Sequence, residues 1–224
     1  MRDSAVPFHF ALWLLNAAVC PAQPAPPPRP AGAIEVSLEA RVSGAWQTIH
    51  PQTVLHSGDT IRFRFRSSSA GFLYVLSVGS GGESVSLFPR PGQTQTNRVE
   101  PGISYVIPGG NGSFSVGGKP GYDAVYWILS PGSLDFKPQR DNQPSTLEPR
   151  CLEEILKSRG LCLDERAGPS PVADIGNAPF VWKDGARPLA ARDLKFQPED
   201  GITRIATADL GDSILIYQFL VAHQ

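Results

Sequence analysis

Residues 55–130 are a succession of short β-branched and aromatic runs separated by Gly, Pro, Ser and Asp. Such runs, with turn residues between them, are typical of an antiparallel sheet with little helix. The sharpest alternation is TIRFRFR at residues 60–66, where Ile61, Phe63 and Phe65 lie on one side of a strand and arginines on the other. This period of two constrains the fold most, because it predicts a half-buried strand and does not fit a helix.

Further strands are predicted by apolar runs between turn residues, at residues 34–42, 46–49, 72–78, 84–88, 104–107, 113–116, 123–129, 179–182, 203–207 and 213–221. The runs at 72–78 and 213–221 are apolar on both faces, which predicts strands inside a sheet covered on each side. Charged residues are only 18% of the chain, and Gly and Pro number 22 each, which favours a loop-rich β protein over a helical bundle. The predicted fold class is all-β and mainly antiparallel, a β-sandwich or partly open barrel of about eight to ten strands with one short helical insert.

The N-terminus resembles a secretory signal peptide. The apolar run FHFALWLLNAAV at residues 8–19 has the length of a signal-peptide core and is too short to span a bilayer. Cys20 and Ala22 supply small residues at the −3 and −1 positions, which places cleavage after Ala22. Residues 1–22 are therefore predicted to be removed on export.

Two alternatives for this segment stay open. A buried N-terminal helix is opposed by the prolines that begin at Pro21. Lipoprotein processing at Cys20 is opposed by the poor match of residues 17–19 to the sequence such processing requires. Residues 23–32 read as a Pro-rich linker of polyproline II type. The predicted location is periplasmic or extracellular, with no transmembrane segment after signal cleavage.

The cysteines predict one disulfide. Cys151 and Cys162 remain as an even pair once Cys20 leaves with the signal peptide, and an exported protein folds in an oxidising compartment. Residues 151–159 read as a short helix, but a continuous helix between the two cysteines would separate their Cα atoms by roughly 16 Å, too far for a bridge. The helix is therefore predicted to stop at Gly160, so that the chain folds back and Cys151 bonds to Cys162. Two unpaired thiols are the alternative.

Several short motifs occur in order through the β-rich part of the chain: Leu55-x-Ser57-Gly58-Asp59, Gly71-Phe72-Leu73-Tyr74-Val75-Leu76, Leu87-Phe88-Pro89, Gly102, Ile107-Pro108 and Pro120-Gly121. The ordered set, over roughly residues 53–130, resembles the signature of the bacterial domain of unknown function 4384 family. Phe72 and Arg90 depart from that pattern. The resemblance implies an exported or envelope-associated module without an established activity, so no catalytic residues are carried over from it.

The predicted organisation is one β-rich domain over residues 33–224. Its family-like core covers residues 53–130, and strands within residues 203–221 complete it. Residues 145–165 form a helical disulfide insert, whose helix is predicted to start at a capping box over residues 145–148 with Pro149 near the first helical position.

No motif in the chain predicts catalysis, a cofactor or a metal ion. The spacing of His50 and His56 fits no metal site on a regular element. The chain has no Gly-x-Ser-x-Gly elbow, and the glycine spacing at residues 112–119 does not fit a phosphate loop. The carboxylate pairs at residues 199–200 and 209/212 are interpreted as solvated loop residues. A formal net charge of −1 gives no attraction to nucleic acid.

Three arginines form the candidate interaction face. Arg62, Arg64 and Arg66 project from one side of the predicted strand, where guanidinium groups bind an acidic partner or polymer. The alternative is a solvated outer face that discourages pairing with other strands.

The favoured function is a non-catalytic binding or scaffold module of the bacterial cell envelope, with a protein or envelope polymer as partner. One alternative is a carbohydrate- or envelope-polymer-binding domain that uses an exposed ring of Trp46, Trp127 or Trp182. A second is a hydrolase on a β scaffold, which requires a pocket where His56 meets Asp or Glu side chains.

Overall fold

The structure, a computed structural model, describes residues 32–91, 96–138, 146–182, 187–208 and 210–224. The predicted signal peptide, Cys20, the linker up to residue 31, Ser145 of the predicted capping box and Asp209 lie outside these ranges. Within them the strands are β1 (Gly32–Val42), β2 (Ala45–Ile49), β3 (Thr60–Ser67), β4 (Gly71–Val78), β5 (Ser84–Phe88), β6 (Arg98–Val99), β7 (Ser104–Ile107), β8 (Phe114–Ser115), β9 (Gly121–Ser130), β10 (Phe136–Pro138), β11 (Gly168–Ser170), β12 (Phe180–Trp182), β13 (Lys195–Glu199), β14 (Ile202–Thr207) and β15 (Leu215–His223). One α-helix, α1 (Glu153–Arg159), and two single-turn 3₁₀ helices, Ile175–Asn177 and Ala191–Asp193, complete the described elements.

The strands form two large antiparallel sheets and one small one. The seven-stranded sheet has the order β13-β14-β1-β3-β7, with β2 also beside β1 and β8 also beside β3. The six-stranded sheet has the order β11-β15-β9-β4-β5, with β6 also beside β4. Strands β10 and β12 pair with each other. The predicted all-β, mainly antiparallel fold class is confirmed, and its form is a sandwich.

The two large sheets pack against each other through one apolar cluster. Phe63 and Phe65 enter it from β3, and Leu73, Trp127 and Tyr217 enter it from the six-stranded sheet. The rings of Phe63 and Trp127 meet across the sheets with centroids 5.5 Å apart and planes at 80°, an edge-to-face arrangement that aromatic pairs favour. The alternation predicted for residues 60–66 is confirmed, because its apolar members lie in this core.

The outer face of the six-stranded sheet is also covered. Tyr74 and Leu76 of β4 lie in a second apolar cluster with Leu134 and Phe180. A third, smaller cluster covers the same face nearer the start of β9 and includes Tyr122. The prediction of covered inner strands at residues 72–78 and 213–221 is confirmed, because β4 and β15 each have sheet neighbours on both sides.

The disulfide insert folds back as predicted, but its helix starts later. Cys151 and Cys162 are joined by a disulfide with Cα atoms 4.7 Å apart. Helix α1 ends at Gly160, whose φ of 66° is left-handed and suits glycine. The capping-box prediction is wrong, because Leu152 occupies the N-cap with no side-chain hydrogen bond and Glu153 is the first helical residue. The backbone N–H of Leu152 instead donates to the carbonyl of Leu163 at 2.8 Å.

Four short strands, β6, β10, β11 and β13, were not predicted from the sequence. Three of them contain a proline, namely Pro138 in β10, Pro169 in β11 and Pro198 in β13. Each of these three strands lies at the edge of its sheet, where a missing backbone N–H disrupts no ladder. Within the described ranges, no helix has the length and apolar character needed to cross a membrane.

Candidate ligand-binding cleft between the sheets

A cleft of about 470 Å³ opens between the two sheets, beside the edge strand β5 and the short strand β8. Its walls come from β3 and β8 on one side and from β4, β5, β9 and β15 on the other. The lining is mostly apolar and comprises Ile61, Phe63, Val85, Leu87, Phe114, Val116, Val125 and Val221. Concave, mainly apolar spaces of about 300–1,000 Å³ are the usual form of small-molecule sites.

Arg90 lies in the wall of the cleft just after β5. Its side chain is half-buried, and its guanidinium lies over the ring of Phe114 with 5.7 Å between the guanidinium carbon and the ring centroid. Among the described residues, Arg90 has no ion pair or side-chain hydrogen bond. A guanidinium stacked on an aromatic face still presents its N–H groups at its edge. Arg90 therefore offers hydrogen-bond donors to whatever occupies the cleft.

Two carboxylates also line the cleft: Glu83 lies against Gly79, and Asp123 lies against Ser80, the next residue in the chain. Glu83 is exposed, and its carboxylate lies so close to Gly79 that a side chain there would collide with it. Asp123 is more restrained: its Oδ1 accepts a hydrogen bond of 2.8 Å from the backbone N–H of Ser80 and lies 3.2 Å from Nε2 of His223. The His223 side chain is only 2% exposed, so it supports Asp123 from beneath the surface.

The predicted arginine face lies on the opposite side of β3 from this cleft, and two of its three members are paired within the protein. Nε of Arg62 and Nε of Arg64 donate to the carboxylate of Glu39 at 2.5 and 2.8 Å. The guanidinium of Arg62 also lies 4.2 Å from the ring centroid of Trp46. Arg66 is exposed. The face as a whole stays a prediction, with Arg66 as its most accessible member.

The ion pairs of this face also determine the pKa of Glu39. Burial alone would raise the pKa of this carboxyl, but the hydrogen bonds and charges of Arg64 and Arg62 outweigh burial and hold the pKa below its ordinary value. Glu39 is therefore a partner built into the β1–β3 pair, and its single carboxylate is shared by Arg62 and Arg64.

The residues required by the two alternative functions do not meet in the cleft. Trp127 is fully buried, Trp182 is half-buried with its ring 5.9 Å from that of Phe180, and Trp46 is half-buried beneath Arg62. His56 is exposed and contacts the side-chain amide of Gln224 at 3.3 Å. The described residues contain no group of three or more His, Cys, Asp or Glu placed to hold a metal ion.

The sequence does not predict the cleft. Its lining comes from residues 61–63, 77–91, 114–125 and 221, which only the strand topology brings together. One signal was available: Arg90 stands between two prolines directly after the strand predicted at residues 84–88. Nothing in the spacing of Asp123 and His223 predicts that they meet, because they meet diagonally across the β9–β15 ladder, where Asp123 is in register with Val221 and His223 with Gly121.

Comparison with known proteins agrees with the resemblance seen in the sequence. Residues 54–132 match the model of a family described as Domain of unknown function (DUF4384). Comparison with curated proteins gave no match, and neither did comparison with solved structures. Every residue that lines the cleft lies inside the matched segment except Val221, which β15 contributes from outside it.

Proposed function

We propose, from the premise that residues 54–132 belong to the domain of unknown function 4384 family, that this protein is a non-catalytic binding module of the bacterial cell envelope. The cleft between the sheets is the proposed binding site. The observation that carries this proposal is the apolar space of about 470 Å³ at the open side of the sandwich. Transfer of a ligand's apolar surface into such a space is favourable by roughly 25 cal/mol per Å².

The polar groups of the cleft support binding better than catalysis. A general base needs to reach the atom from which it takes a proton, but His223 is buried and turned towards Asp123. Oδ1 of Asp123 already accepts a backbone hydrogen bond. Glu83 stands exposed to water at the rim of the cleft. These side chains can orient a ligand without taking part in bond making.

Location in the cell envelope is supported by three features. The N-terminal sequence resembles a signal peptide, a Pro-rich segment follows it, and Cys151 is bonded to Cys162. Disulfides persist mainly in oxidising compartments such as the periplasm. The short loop closed by this disulfide contributes roughly 2–3 kcal/mol to stability.

Intact-mass analysis of the protein recovered from a bacterial envelope fraction tests this location. We expect a mature chain that begins at Gln23 and carries one disulfide between Cys151 and Cys162. A mature chain that begins at a lipid-modified Cys20 would favour the lipoprotein alternative instead. Retention of Met1 together with two free thiols would contradict export.

Binding in the cleft is tested with N-phenyl-1-naphthylamine, a neutral dye whose emission rises in apolar surroundings. Ser77 lines the cleft from β4 and is half-buried, so Ser77→Phe fills the space and is expected to weaken dye binding at least fivefold. Val85→Trp does the same from the rim, where the native side chain is 52% exposed and a larger one has room. The matched control is Gln47→Phe on the exposed side of β2, which contributes nothing to the cleft.

Thermal unfolding followed by circular dichroism establishes that each variant is folded before binding is measured. The proposal fails if the native protein binds no dye, or if folded Ser77→Phe and Val85→Trp both bind it as tightly as Gln47→Phe.

A further inference from the structure

We infer that the ligand of this cleft is an amphipathic anion, a small molecule with an apolar body and one carboxylate, sulfonate or phosphate group that binds Arg90. This inference rests on the proposed function, because it specifies the chemistry of the molecule that the same cleft takes. It follows from the placement of charge at the two ends of β5 and from the apolar lining between them.

Arg90 is the cationic side chain of the cleft, and its position is restrained. Pro89 and Pro91 flank it and restrict the backbone on either side. Oγ of Ser86 donates to the carbonyl of Pro89 at 2.8 Å, which fixes the chain at the end of β5. The Phe114 ring beneath the guanidinium shields one of its faces from water. Arg90 is thus a positioned, partly desolvated guanidinium with no counter-ion among the described residues, the kind of group from which an anion gains most.

The opposite end of β5 is acidic. Glu83 immediately precedes the strand, and Asp123 lies at the same end, where it accepts a hydrogen bond from the backbone N–H of Ser80. Strand β5 contains five residues, so at roughly 3.3 Å per residue the acidic end lies about 17 Å from the Arg90 end. An anionic group is therefore attracted at one end and repelled at the other. This arrangement orients a molecule with a single charged group and disfavours one with an anion at each end.

A cationic ligand is less favoured at the acidic end. Asp123 is already partnered by the N–H of Ser80 and by His223. Glu83 is exposed, so water screens an ion pair formed there and such a pair contributes little. Among the described residues that line this cleft, Arg90 carries the unpaired charge that is partly removed from water.

Two dyes with the same ring system test the role of the charge. 8-Anilinonaphthalene-1-sulfonate carries a sulfonate, whereas N-phenyl-1-naphthylamine lacks it. We expect Arg90→Gln to weaken binding of the sulfonate dye about tenfold, the loss of one charge-assisted hydrogen-bonding group, and to change binding of the neutral dye less than twofold. Arg90→Lys keeps the charge but loses the planar guanidinium. Its affinity for the sulfonate dye should therefore lie between that of the native protein and that of Arg90→Gln.

The matched control is Arg159→Gln, because Arg159 is an exposed arginine on α1, which contributes no residue to the cleft. It should leave the affinities for both dyes unchanged. Displacement of the neutral dye by dodecanoate, but not by dodecyltrimethylammonium at the same concentration, is the second expected result.

The outcomes separate this inference from the proposed function. If the neutral dye binds and Ser77→Phe weakens it, while Arg90→Gln leaves the sulfonate dye unaffected, the cleft binds ligands and the anionic specificity is wrong. Stronger displacement of the neutral dye by dodecyltrimethylammonium than by dodecanoate would also overturn the anionic specificity. It would indicate a cleft that prefers cations and binds them at Glu83. If neither dye binds the native protein, the proposed function and this inference fail together.

Discussion

Two neighbouring residues of β9 show that polar groups on the two faces of the six-stranded sheet differ in how completely they are hydrogen-bonded. On the covered outer face, Tyr122 donates a hydrogen bond of 2.7 Å to Asp164, which also accepts from the backbone N–H of Arg150 at 2.5 Å and of Arg166 at 2.8 Å. On the cleft face, Asp123 has partners, whereas Arg90, at the other end of β5, has no ion pair or side-chain hydrogen bond among the described residues. Polar groups on the covered face complete the fold, whereas part of the charge on the cleft face remains for solvent or a ligand.

The pKa shifts on the covered face agree with this distinction. Burial alone would raise the pKa of Asp164, but hydrogen bonds from the Arg150 N–H, the Tyr122 hydroxyl and the Arg166 N–H outweigh it and lower that pKa below its ordinary value. Burial, together with the hydrogen bond and charge of Asp164, raises the pKa of Tyr122 to about 12. The pair is thus held as carboxylate and phenol at neutral pH, and it fastens the disulfide insert to β9.

The largest effect is expected when the carboxylate is removed from the covered face. Asp164→Ala leaves the Tyr122 hydroxyl and two backbone N–H groups without their acceptor, and each such loss costs about 1–3 kcal/mol when the donor is buried. We expect the free energy of unfolding, measured by urea denaturation, to fall by about 3 kcal/mol. Asp123→Ala, on the cleft face where the side chain is 31% exposed, should cost about 1 kcal/mol. Equal losses at the two positions would contradict the distinction between the faces.

The pH dependence of stability provides the control for this prediction. Because the folded-state pKa of Asp164 is lowered, its contribution is complete above the pKa of the unfolded chain, near 4, and is lost as the pH falls towards the folded-state value. Asp164→Asn should therefore lose less stability than the native protein between about pH 6 and pH 3. The stability of Asp164→Asn should still depend on pH, but less than that of the native protein. Glu39 also has a lowered pKa, so it too loses its contribution to stability as the pH falls.

Sequence reasoning recovered the features that depend on local pattern. Alternation located β3, continuous apolar runs located β4 and β15, and Gly160 gave the end of α1. These features are encoded within a few residues of where they appear. The ordered motifs of residues 53–130 likewise gave the family that the comparison then matched over residues 54–132.

Features that depend on distant contacts were not recovered. In the sequence, Asp164 cannot be told from other loop carboxylates. Its role as a hydrogen-bond acceptor depends on Tyr122 of β9, which lies 42 positions away in the sequence. From the sequence, Glu39 is one of the polar residues of an alternating strand. Only the β1–β3 register shows that it lies opposite Arg62. The cleft is a gap between two sheets and so has no residue pattern of its own. Strands β10, β11 and β13 were missed because proline usually argues against a strand, a rule that weakens at a sheet edge.

The smallest effect, of opposite sign, is expected in the core between the two large sheets. The hydroxyl of Tyr217 and the Nε1 of Trp127 are buried without a hydrogen-bond partner in the described structure, and the two rings stack with centroids 5.9 Å apart. Burial raises the pKa of Tyr217 well above its ordinary value. Tyr217→Phe removes a hydroxyl whose desolvation is uncompensated, so stability should stay unchanged or rise by up to about 1 kcal/mol. The matched change Tyr122→Phe removes a satisfied hydroxyl and should cost about 1–2 kcal/mol. Urea denaturation of both variants at neutral pH measures this difference in sign, and a loss above about 1 kcal/mol for Tyr217→Phe would mean that its hydroxyl has a partner within the core.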